Sequence, residues 1–189
     1  MIILVTGEVN EGKTNYMRSL YRELGVGDGF ICPKVFENGE FIRYDIRRLS
    51  SDESQAFAYP LESVPSDWNE KCRFGKYSFS SKAIHFAEQI IDELIEQKIE
   101  PIIIDEIGPL EIENHDGFYN IIKKLLKTQL GAFISIRRSM SDDFENAFGI
   151  EPRIISKRCL WHTNYPKGMP SAHELKLIKW NRIHDGSIF

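Results

Sequence analysis

The chain has 189 residues carrying 24 Lys and Arg against 28 Asp and Glu, and its net charge of −4 argues against a globally basic surface for nucleic acid. A hydrophobic content of 42%, with 12 Phe, can fill one sizeable core, so a single domain over residues 1–189 is expected. Cys32, Cys72 and Cys159 are too widely spaced and odd in number for a disulfide framework or a zinc pair. No apolar run approaches the roughly 20 residues of a membrane span, and the chain opens on strand formers rather than a leader, so no membrane partner and a cytoplasmic location are expected.

Met1 to Val5 is short, apolar and β-branched, as in a buried parallel strand, and Asn15 to Leu24 places Tyr16, Leu20 and Leu24 at helical spacing. Between them, Gly7-Glu8-Val9-Asn10-Glu11-Gly12-Lys13-Thr14 spells the phosphate-loop pattern G-x-x-x-x-G-K-[ST]. A polyphosphate needs many donors at short range, which consecutive backbone N–H groups and the positive end of a helix supply. Residues 7–15, ending at Asn15, are therefore the expected nucleoside-triphosphate site. Lys13 would reach the β- and γ-phosphates, and the Thr14 hydroxyl would ligate Mg²⁺.

A flexible turn at Gly25 to Gly29 precedes strand formers over Phe30 to Phe36 and Glu40 to Leu49, and the Asn38-Gly39 pair between them predicts a β-hairpin. Ser54 to Leu61 reads as another strand and Pro60 to Gly75 as loop, so the insertion spans about residues 30–75. Ser80 to Lys98 is the clearest amphipathic helix, with Ser80 or Ser81 as its N-cap. Pro101 to Asp105 is a second apolar strand, Phe118 to Lys127 another helix, and Gly131 to Ile136 a third buried strand. Helices between apolar strands predict βαβ crossovers, and hence an α/β fold with a mostly parallel central sheet flanked by helices. A short helix over Asp142 to Phe148 and strands over Arg153 to Trp161 complete the reading.

Asp105 and Glu106 close the second apolar strand. A carboxylate there, Asp105, would hold the hydration shell of Mg²⁺, and Glu106 would orient and polarise the water that attacks the γ-phosphorus. Together with the phosphate loop, Asp105-Glu106-Ile107-Gly108-Pro109-Leu110-Glu111 resembles the small P-loop nucleoside-triphosphatase family first described from thermophiles, also called the cancer-related nucleoside-triphosphatase family. Ile31-Cys32-Pro33 and Cys72 to Tyr77 are similar to that family's insertion, and the resemblance covers residues 1 to about 165. It implies a RecA-like P-loop fold and slow, base-tolerant hydrolysis of ATP, GTP and other triphosphates to the diphosphate. Carried over position by position, Lys13 and Thr14 take phosphate and metal roles, Asp105 the metal role and Glu106 the base role. Glu111 falls on a motif position where packing support is as good a reading as contact with the water.

The chain departs from the family pattern with Asn15 where a second threonine is usual, with acid at Glu8 and Glu11, and with Tyr165 where an arginine is common. Asn164 lies in the segment expected near the base, and Trp161, His162 and Tyr165 offer rings for stacking, although a core position is the better reading of Trp161. Arg137 and Arg138 follow the third strand, where either could neutralise transition-state charge or remain on the surface. The basic stretches Arg43 to Arg48 and Lys157-Arg158 read as solvated surface. Two other functions fit the same motifs: transfer of the γ-phosphoryl group to a small hydroxyl acceptor held by the insertion, and a nucleotide-binding switch with little turnover that recruits an undefined protein partner.

Overall fold

The structure is a computed structural model that describes residues 1–156. Its centre is a set of short apolar strands buried on both faces: β1 (Ile2–Gly7), β2 (Asp28–Ile31), β8 (Ile102–Ile107) and β9 (Ala132–Arg137), with β10 (Arg153–Ser156) at one edge. Neighbours in the order β10-β1-β9-β8-β2 are all parallel. Strand parity splits the core into two layers. Ile3, Val5, Ile103 and Phe133 pack with Met17, Leu20 and Leu24 of helix α1 (Lys13–Leu24). On the other face Leu4, Ile102, Ile104 and Ile134 meet Ile84, Ala87, Ile91 and Leu94 of helix α2 (Ser81–Glu96). The Ser80 hydroxyl caps α2 by accepting the Ala83 N–H at 3.2 Å, as its sequence predicts.

Beyond β2 the sheet continues as an antiparallel wing. It comprises β3 (Lys34–Glu37), β4 (Glu40–Arg48), β5 (Ser54–Pro60), β6 (Glu70–Phe74) and β7 (Tyr77–Ser80), and β4 pairs with both β2 and β3. The whole forms one ten-stranded sheet. The mostly parallel reading thus holds for the core, and the insertion goes beyond the expected hairpin and following strand by the β6–β7 pair. Its first arm also divides. Phe30 and Ile31 stay in the central sheet while Lys34 starts a separate strand, because Pro33 has no N–H to continue a ladder; its carbonyl instead accepts the Asp45 N–H at 3.1 Å. The span 60–75 is not all loop either: β6 alternates charged residues outward with Cys72 and Phe74 inward, a pattern too polar to announce an edge strand.

One ion-pair cluster ties wing to core. Arg48 donates from Nε to Asp28 Oδ2 at 2.7 Å and through its two terminal nitrogens to Glu93 at 2.7 and 3.0 Å. Asp28 is buried, and Ser50 supplies two further donors to its carboxylate. Arg43 likewise pairs with Asp45 at 2.7 Å, so neither Arg43 nor Arg48 of that basic stretch stands as an isolated solvated charge. Helices α3 (Pro109–Ile112), α4 (Tyr119–Leu126) and α5 (Ser141–Phe148) complete the described layers. No helix among the described residues is long and apolar enough to cross a membrane. The expected strand beyond Ser156, with Cys159, Trp161, His162, Asn164 and Tyr165, lies outside the described residues.

Candidate functional site

The carboxyl ends of β1 and β8 and the amino end of α1 converge on a cleft of about 490 Å³. Val9, Asn10, Gly12, Lys13, Thr14 and Asn15 line one side, as expected of a phosphate loop. The loop's sharp path is carried by Gly12 at φ +81° and by Asn10 at φ +62°, residue types that tolerate the left-handed region. Gly7, Glu8 and Glu11 belong to the loop but do not line the cleft. Glu11 turns inward across it, and its Oε2 accepts the Glu8 N–H at 2.7 Å. A side chain at Gly7 would meet that same oxygen, since a Cβ there would stand 2.8 Å from it. The buried Lys13 folds back, donating to the carbonyls of Gly7 and Glu8 at 3.3 and 3.1 Å.

The other side of the cleft is built from Cys32, Lys34, Phe36, Tyr44 and Glu106. Lys34 was not legible as a site residue, yet its Nζ donates to Asn10 Oδ1 of the phosphate loop at 2.7 Å. Only the unforeseen placement of β3 beside the loop brings it there. Phe36 and Val9 leave apolar surface exposed at the rim.

Asp105 and Glu106 part company at the end of β8. Asp105 is wholly buried; its Oδ2 accepts the Cys32 N–H at 3.0 Å, and its Oδ1 accepts the Ser135 hydroxyl. That hydroxyl also accepts the Glu106 N–H at 2.9 Å, so Ser135 of β9 fixes both acidic residues from one position. Within an otherwise apolar strand, this lone serine was the only sequence sign of the arrangement. The β8–β9 register breaks between Ile104 and Ile107, and Glu106 adopts φ +67°, a backbone state that costs a non-glycine residue on the order of 1 kcal/mol. The break turns Glu106 out of the ladder and onto the cleft wall. Although Glu106 is the exposed residue of β8, partial desolvation by the cleft walls, then the neighbouring Asp105 charge, raise its pKa, against the opposing pull of Lys13, Arg137 and Lys34.

The arginine pair is separated by position. Arg137, at the exposed end of β9, shares a wall with Glu106 in a second, smaller cavity, whereas Arg138 enters a 3-10 turn and lines neither cavity. Glu111 is buried away from the phosphate cleft. Its carboxylate accepts the N–H groups of Gly108 at 3.0 Å and Phe118 at 3.1 Å, which pins the chain following β8. Burial outweighs those two bonds and pushes its pKa up to about 7. The support role for Glu111 is thus the one its contacts describe.

The donors suited to a cation here, the Thr14 hydroxyl and the Asp105 carboxylate, are hard oxygens. No group of three or more His, Cys, Asp or Glu able to hold a metal occurs among the described residues. Mg²⁺ takes one or two protein oxygens of this kind and completes its shell with water and substrate phosphates; Thr14 lines the cleft, while Asp105 lies behind its wall with both oxygens bonded to Cys32 and Ser135. Burial pushes the Cys32 thiol well above the ordinary cysteine range, with Asp105, Glu106 and Glu111 adding to the shift, which favours its neutral form.

Strand, glycine loop and helix, joined by parallel strands to a second strand ending in acid, define the P-loop nucleotidase class. Within that class, the family model described as NTPase matches residues 2–154, and the chain belongs to this family of nucleoside-triphosphatases. It is 29% identical to the nucleoside-triphosphatase THEP1 of Thermotoga sp. (strain RQ2) over 145 residues, covering 76% of this chain and 78% of that one. Against the protein of the same name from Saccharolobus solfataricus it is 30% identical over 133 residues, 68% and 69% of the two chains. The fold matches the crystal structure of THEP1 from Aquifex aeolicus with a TM-score of 0.63 at 18% identity, over 84% of this chain and 92% of that one. The solution structure of a human cancer-related nucleoside triphosphatase gives a TM-score of 0.56 at 17% identity, over 98% and 97%.

Proposed function

We propose that this protein hydrolyses nucleoside 5'-triphosphates, ATP and GTP among them, to the diphosphate and phosphate with Mg²⁺. The observation that carries the reading is that Lys13 of the phosphate loop and Glu106, turned out of β8, face one cleft. Lys13 exchanges its two carbonyl partners for the β- and γ-phosphates. Thr14 and Asp105 would hold the cation, which would draw charge from the β- and γ-oxygens. Glu106 takes the proton of the attacking water, and Ser135 keeps its backbone in place. Lys34 and Arg137, whose charges reach Glu106, add positive potential at the terminal phosphate. Phe36 and Val9, both exposed at the cleft, offer the base apolar surface with no hydrogen-bonding side chain, which favours broad base tolerance.

Phosphate release from ATP, GTP, CTP and UTP with Mg²⁺, measured for the parent protein beside Glu106→Gln, tests this. The variant should retain Mg-nucleotide binding while turnover falls roughly 10²-fold, the scale of losing a general base. Equal turnover in the variant removes Glu106 from the reaction.

A further inference from the structure

The cleft has an annex that hydrolysis leaves unexplained. A cavity of about 130 Å³ lies between the antiparallel wing and the end of β8. Its walls include the rings of Tyr44, Phe57, Phe74, Tyr77 and Phe79. They brace one another: Tyr44 and Tyr77 stand at 5.6 Å between centroids, and Phe57 and Phe79 at 5.2 Å. Cys32, Tyr44 and Glu106 line both this cavity and the phosphate cleft, so the two spaces adjoin where the terminal phosphate is expected. Three acidic or basic side chains also line it, Glu106, Glu111 and Arg137; the Glu111 carboxylate is turned to the Gly108 and Phe118 N–H groups, which leaves Glu106 and Arg137 as the charged groups beside the rings. Water needs no aromatic chamber to reach a carboxylate. At about 130 Å³ the cavity is close to the roughly 150 Å³ of an apolar cavity that accepts benzene, so one six-membered ring is the size class it matches.

We propose that this annex is a second-substrate site for a small uncharged one-ring alcohol or phenol, and that its hydroxyl, held beside Glu106, accepts the γ-phosphoryl group in place of water. The inference rests on the assignment of Lys13 and Glu106 to the γ-phosphate end of the nucleotide. In the transfer, the hydroxyl oxygen forms a bond to the γ-phosphorus as the bond from that phosphorus to the β–γ bridging oxygen breaks. The bonding pair leaves with the nucleoside diphosphate, and the hydroxyl proton passes to the Glu106 carboxylate. The annex is built into the sheet: Tyr44 pairs with Ala58, and Ala58 with Phe79, in adjacent strands, so its walls are set before any ligand arrives.

The test uses benzyl alcohol as the probe and toluene as its hydroxyl-free counterpart, both followed by protein NMR. Benzyl alcohol should give saturable shifts centred on Phe79 and Tyr77, and toluene should compete for the same resonances. With Mg-ATP present, ³¹P spectra should show benzyl phosphate forming alongside ADP. Ala58→Val, which adds bulk to the floor, should weaken probe binding at least tenfold with thermal unfolding still cooperative. Phe74→Ala, which opens the edge-strand wall, should weaken it as well and serves if the first variant does not fold. Absence of saturable shifts in the parent overturns the site, and binding without benzyl phosphate overturns the acceptor role. If ATP is not hydrolysed in water alone while the probe still binds, the hydrolase assignment fails separately from the annex.

Discussion

The phosphate loop is an internally satisfied structure whose groups must change partners when a polyphosphate enters. On the proposed reading, Lys13 would leave the carbonyls of Gly7 and Glu8, and Glu11 would release the Glu8 N–H to a phosphate oxygen. Two predictions of opposite sign follow from these contacts. Lys13→Ala removes the main counter-charge and should weaken Mg-ATP binding by about 10- to 10²-fold, the range of one charge-assisted hydrogen bond; calorimetric affinity equal to the parent's would exclude the loop from the site. Glu11→Ala removes a competitor for a loop donor and should tighten Mg-ATP binding about two- to tenfold. An affinity that stays level or falls in that variant would mean that Glu11 remains seated when nucleotide binds. The acid at this position was legible as a departure from the family pattern, but its inward turn was not, because residue type alone does not say which way a loop side chain points.

At the level of elements, the chain after β8 depends on a buried acid. Glu111 accepts the N–H groups of Gly108 and Phe118, and Gly117 beside it holds φ +58° with space for no side chain: a Cβ there would stand 2.2 Å from Glu111 Oε1. With its pKa raised to about 7 from the usual 4.5, Glu111 binds a proton more readily in the folded chain than in the unfolded one. Its contribution to stability is therefore fully present below pH 4.5 and is lost as pH rises through about 7. Over that window the loss is on the order of 3 kcal/mol. Glu111→Gln should remove this slope, so that urea midpoints at pH 5 and pH 8 draw together relative to the parent; an unchanged difference would assign the slope to other groups.

Elements with a strong periodic signal were plain in the sequence: β1, the phosphate loop, α2, β8 and β9 all fall within a residue or two of expectation. The Asn38-Gly39 turn was equally plain. What escaped were features decided by neighbours. β6 is polar because it is an edge, β2 parts from β3 at Pro33, and Glu106 leaves the ladder because Ser135 holds its N–H. The annex rings were visible only as strand-forming aromatics, with nothing local to say that they would meet.

Across the whole molecule, the parallel core and the antiparallel wing share β2 as a common strand, and Arg48 binds Asp28 and Glu93 across their junction. The wing is therefore continuous with the scaffold of the nucleotide site rather than a lid hinged over it. Urea unfolding should be a single transition, with a fluorine label at Trp68 in the wing and far-ultraviolet circular dichroism giving the same midpoint. An earlier midpoint for the label would show that the wing melts by itself. The shared strand also bears on how such a chain could be remodelled. A segment that hung from a core by two loops could be swapped like a cassette, but cutting this one out would strip β2 of its β4 partner and leave Asp28 without Arg48. Length changes should be absorbed in the wing's connections, such as the hairpin tips around Asn38-Gly39 and Gly75-Lys76, so variants of this fold would differ in how far the wing reaches and not in where it is rooted.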